Sequence, residues 1–121
     1  MKERIQLVEH QGRQIMLIDF SNCTPQEMLD VVDEVQERIS DSPPHSMLTM
    51  ADFTDAEVDK KVATRIKQAL VLDRPHVKRA AWVGTESLPK VFYENFKSFS
   101  QREFPTFKTR EEAIDWLVKE A

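Results

Sequence analysis

"TMADFTDAEVDKK", residues 49–61, sets four acids, Asp52, Asp55, Glu57 and Asp59, around one threonine, Thr54. To its left stands the apolar run "SMLTMAD", residues 46–52, which reads as a strand. To its right Val58, Val62, Ile66, Ala69 and Leu70 recur at helical spacing as far as Asp73, ahead of Pro75. Thr54-Asp55-Ala56-Glu57 has the form of a capping box, which predicts a helix beginning at Asp55 with Thr54 as its N-cap. Acids at a helix N-terminus are favourable against its dipole, each by about 0.3–1 kcal/mol. A metal site is the sharper reading, and the spacing does not favour it. An EF-hand loop needs a central glycine, and this stretch has none. On a helix Asp55 and Asp59 share a face, while Glu57 turns away by about 200°. The stretch is therefore expected to be a strand-to-helix junction without metal.

Working outward, the same alternation recurs. "RIQLVE", residues 4–9, alternates polar and apolar residues, and "QIMLIDF", residues 14–20, is more continuously apolar. Gly12 between them suits a tight turn, so the two strands predict a hairpin. In "TPQEMLDVVDEVQERIS" Thr24 caps a helix, Pro25 takes its first position and Glu27 closes a capping box. Met28, Val31, Val32, Val35 and Ile39 line one face of it, and Asp30, Asp33, Glu34 and Glu37 the other. Beyond the opening stretch follow a strand over Val77 to Gly84 and a helix from about Leu88 to Phe99. A short strand at "FPTF" and a helix capped by Thr109 and Glu112 close the chain. Pro105 predicts that the last strand is short and at an edge. The order is β-β-α-β-α-β-α-β-α. This is the α/β class: a mostly parallel five-stranded sheet with four helices and an antiparallel first hairpin, in one domain over residues 1–121. No internal repeat stands out.

Composition bounds the function. The 121 residues are 40% hydrophobic and 31% charged, an ordinary globular balance. A net charge of -4 argues against a general nucleic-acid binder. The two glycines, Gly12 and Gly84, exclude a dinucleotide fingerprint, a P-loop and a nucleophile elbow. The N-terminus carries no signal-like apolar run and no run spans a bilayer, so a cytoplasmic setting is expected. Cys23, the single cysteine, has no disulfide partner and is expected to be small and partly buried. His10, His45 and His76 lack metal-ligand spacing. No motif supports an enzyme or a cofactor.

The end of the chain carries a resemblance. A strand ending in "AAWVG", an apolar helix, and then "FPTFKTREEAIDWL" place Phe107, Thr109, Glu111, Glu112, Ala113, Trp116 and Leu117 in a characteristic spacing. With the opening hairpin and successive βα units, this resembles the SpoIIAA-like group of STAS-related domains, whose fold is distantly related to CRAL-TRIO lipid-binding domains. The resemblance implies a bacterial regulatory module of the anti-sigma-factor-antagonist type. Such antagonists carry a phosphorylatable Ser or Thr where the helix after the third strand begins, within a pattern close to Asp-Ser-Ser-Gly. The matching hydroxyl here is Thr54, and Asp55-Ala56 stand where that pattern has Ser-Gly.

The aromatic residues crowd the last third of the chain. Phe92, Phe96 and Phe99 form a helical stripe, widened by Val91 and Tyr93 and flanked by Lys90, Lys97 and Arg102. The simpler expectation is a helix docked on the sheet. The alternative is an apolar pocket or partner face built from Phe53, Trp82, Gly84, Phe92, Phe96 and Phe99, near the carboxyl ends of the strands. These readings favour a non-catalytic regulatory or interaction module with a protein partner or a homo-oligomer. Binding of a lipid or other apolar small molecule between the third helix and the sheet is the alternative.

Overall fold

The computed structural model describes residues 3–100 and 104–119, with the side chains of Phe99 and Ser100 outside that description. Arg102 also lies outside the described residues. Five strands form one sheet in the order β1-β2-β3-β4-β5. They are β1 Ile5–His10, β2 Arg13–Asp19, β3 Met47–Asp52, β4 Val77–Val83 and β5 Thr106–Phe107. β1 pairs antiparallel with β2, and every later pair is parallel. The helices are α1 Pro25–Ser40, α2 Lys60–Asp73, α3 Lys90–Ser100 and α4 Arg110–Lys119, with a short 3-10 turn at Thr85–Ser87 before α3.

Local chemistry explains these elements. Thr24 accepts the Glu27 amide while Glu27 takes the Thr24 amide at 2.9 Å, and Pro25 opens α1. The five apolar residues of its stripe are all buried. Pro105 keeps β5 to two residues at the sheet edge. Side chains alternate across the central strands, so the sheet has two cores. Ala51, Phe53, Ala80 and Trp82 face one side and pack under α1, α2 and α3 with Met28, Val32, Ile66 and Phe96. Leu48, Met50, Ala81 and Val83 face the other and pack under α4 with Ala113 and Leu117.

Two local expectations change. Cys23 is completely buried rather than partly so. The second helix begins at Lys60, not at Asp55, and its N-cap is Asp59, which accepts the Val62 amide at 2.8 Å. The reason lies at Asp52. Its carboxylate takes both the hydroxyl and the amide of Thr54, at 2.6 and 2.9 Å, so the Thr54 side chain points back along the chain. Such side-chain-to-backbone bonds compete with helix capping. Asp55 then adopts φ 55°, and the Glu57 amide goes to the Cys23 carbonyl at 3.0 Å.

Candidate functional site

The carboxyl ends of β2 and β3 carry the same turn twice. Asp19-Phe20-Ser21-Asn22 and Asp52-Phe53-Thr54-Asp55 lie in register, with Asp19 opposite Asp52. In each, the aspartate accepts the amide and the hydroxyl of the residue two positions on. In each, the fourth residue is left-handed, Asn22 at φ 57° and Asp55 at φ 55°. In each, the phenylalanine carbonyl accepts an amide three residues later, from Cys23 at 3.1 Å and from Ala56 at 3.0 Å. The turns are tied together: the Phe20 amide donates to the Asp52 carbonyl and the Asn22 amide to the Thr54 carbonyl, both at 2.9 Å. Phe20 and Phe53 stack at 5.0 Å beneath them. The two Asp-Phe-hydroxyl triplets, beginning at Asp19 and at Asp52, are the signal that could have announced this pairing.

One arginine bridges the two turns. Arg110, the first residue of α4, places Nε 2.8 Å from Asp52 and Nη2 3.2 Å from Asp19. Arg4 adds a second cation, donating to the Ser21 carbonyl at 2.7 Å and lying 4.0 Å from the Asp19 carboxylate. Both aspartates are buried, and each has a guanidinium against its carboxylate. Burial by itself raises the Asp52 pKa. The hydrogen bonds from Thr54 and then from Arg110 outweigh it, and the carboxyl ends below its ordinary value. Nothing near Arg110 in sequence points to this role, because its partners are 58 and 91 residues away by number.

Gly84 closes the site on its third side. It is left-handed at φ 72°, and an added Cβ would lie 2.6 Å from the Thr54 amide and closer still to its hydroxyl. Ser87, in the turn that follows, accepts the Asp55 amide through Oγ at 2.7 Å. Thr54 is thus exposed at the rim, with its hydroxyl on Asp52 and Arg110 across the same carboxylate.

The aromatic residues do not gather into one pocket. Phe53 and Trp82 line a cavity of about 60 Å³ between the sheet and α1 and α2, where the polar side chains are Thr49 and Asp73. Phe96 is completely buried against Trp82, which also stacks on Phe104 at 4.2 Å. Phe92 and Phe96 border a separate groove of about 200 Å³ between α2 and α3, edged by Lys60 and Lys67. Gly84 borders neither space. The side chain of Phe99 lies outside the described residues. Among the described residues, no three of His, Cys, Asp and Glu stand together as a metal set, and no helix is long and apolar enough to cross a membrane.

The comparisons agree with this architecture. No curated protein matches the chain. Among solved structures, it is similar to an uncharacterised protein of the DUF3478 family with a SpoIIAA-like fold from Shewanella loihica PV-4. The TM-score is 0.71 at 16% identity, covering 93% of this chain and 91% of that one, so this likeness speaks for the fold alone. The family model described as SpoIIAA-like matches residues 5–118, nearly the whole chain. With the hairpin-led parallel sheet and its helices, that match shows that the chain belongs to the SpoIIAA-like family.

Proposed function

We propose that this protein is a non-catalytic regulatory module of the cytoplasm, that it acts through a protein partner, and that Thr54 is where a phosphoryl group switches it. One observation carries the reading: Thr54 is an exposed residue and supplies the side-chain hydroxyl of the loop between β3 and α2. That is the loop in which STAS-type antagonists keep their switch. The surroundings supply a physical consequence. Phosphate on Oγ1 ends its donation to Asp52 and brings new negative charge beside that carboxylate. Arg110, held by Asp19 and Asp52, is the nearby cation that such a charge would compete for. The surface at the carboxyl edge would then change without any change in the core.

An apolar ligand between α3 and the sheet has less support. Phe96, Trp82 and Phe104 fill that space with one another. The cavity under α1 and α2, at about 60 Å³, is small beside the roughly 300–1,000 Å³ of ordinary ligand sites. The test compares Thr54→Ala with Thr54→Glu, both confirmed as folded, for the host proteins each retains. The reading expects different retention. Identical retention by both variants overturns it.

A further inference from the structure

Among the described residues β1 is an edge strand, paired on one side only, with β2. The opposite edge is blunted, because β5 has only two residues and follows Pro105. β1 runs for six residues, Ile5–His10, in unbroken register with β2. It contains no proline, lysine or bulge, three devices that stop an edge from pairing with another chain, and Glu9 is its one carboxylate. Its backbone polarity follows from one bond. The Asp19 amide donates to the Arg4 carbonyl at 2.8 Å, so Arg4 and Asp19 form a hydrogen-bonded pair. Such pairs alternate along an antiparallel ladder. Gln6 and Val8 therefore bond to β2, and Ile5, Leu7 and Glu9 direct their amides and carbonyls outward. At the centre of that outward set stands Leu7, 52% exposed, one of the few large apolar residues left on the surface.

We propose that β1 is a self-association surface whose partner is β1 of a second copy, paired antiparallel about Leu7. The strand is complementary to itself in that register. Leu7 meets Leu7, and the outward groups of Ile5 pair with those of Glu9. Gln6 stands beside Val8, and no two acids oppose each other. Arg4 stands opposite His10, and each already has an acidic partner, Glu27 at 3.5 Å and Asp115 at 3.0 Å. Two leucines directly opposite on one face form the apolar cross-strand contact that stabilises such a ladder. Pairing with β5 of another copy would engage only two residues, which is why the proposal commits to β1 with β1. This surface goes beyond the reading of Thr54 and does not rest on it.

The experiment is sedimentation velocity over a dilution series of the full chain without an N-terminal extension, with amide hydrogen exchange. The expected result is a dimer that dissociates on dilution, with concentration-dependent protection at Ile5, Leu7 and Glu9. Protection at Gln6 and Val8 should stay the same. Leu7→Lys places like charges directly opposite and should weaken dimerisation by about tenfold or more. Val91→Lys, on the exposed part of α3, should leave it unchanged. If Leu7→Lys fails to fold, the exchange pattern of the unaltered chain decides. A chain that stays monomeric at every concentration overturns the proposal. So does a dimer that survives Leu7→Lys, one that Val91→Lys dissociates, or one that leaves Ile5, Leu7 and Glu9 unprotected.

Discussion

Asp52 draws two residues, Thr54 and Arg110, into one arrangement. It holds the Thr54 hydroxyl and amide on one oxygen and the Arg110 guanidinium on the other. Those bonds favour the ionised form more strongly than burial disfavours it, so its folded-state pKa lies below the unfolded value. The linked stability is therefore fully present above the unfolded pKa and is lost as pH falls through the folded one. Asp52→Asn removes this contribution. Urea unfolding across the acid range should show a shallower decline for the variant than for the parent chain. Gly84 gives a second prediction at this scale. Alanine there meets a left-handed backbone, a cost of roughly 1–2 kcal/mol, and its Cβ would press on Thr54. Gly84→Ala should lower unfolding stability by at least about that amount, while Gly12→Ala, with nothing within 4 Å of its Cβ, loses only the backbone part.

The elements were largely legible in the sequence because burial periodicity is a local property. The stripe of Met28, Val31, Val32, Val35 and Ile39 is the buried face of α1, and the Thr24–Glu27 box is its cap. The continuous burial of β3 matches its place at the centre of the sheet. The start of α2 was not legible, since the Thr54 hydroxyl has two competing partners, the amide donors of a helix ahead and the carboxylate of Asp52 behind. Only the second is formed. The difference can be measured. Asp59→Ala removes the cap actually used and should cost about 1 kcal/mol. Thr54→Val should leave amide protection in the first turn of α2 unchanged. The twin turns after β2 and β3 leave a signal in Asp-Phe-Ser and Asp-Phe-Thr that acquires meaning only once β2 and β3 are paired in register. The arginine that joins them leaves none, because its reach depends on how α4 is laid against the far side of the sheet.

At the scale of the whole molecule, the two faces of the sheet divide the work. Three helices and the aromatic packing around Trp82 occupy one face, and among the described residues α4 is the helix that covers the central strands on the other. Of the aromatic residues on α3, Phe96 is completely buried in that packing and Phe92 lies partly buried against it. The carboxyl edge, where both layers end, brings together Thr54, Gly84, Asp19, Asp52 and Arg110 in one surface. A switch there would act on the surface a partner meets while leaving both cores in place. The most direct measurement is peptide mapping by mass spectrometry of the chain isolated from its own host. The account predicts a phosphoryl group on the peptide that contains Thr54, and its loss in Thr54→Val. A chain unmodified at Thr54 in every growth condition, or one whose phosphate maps to Ser21 or Thr85 instead, would contradict it.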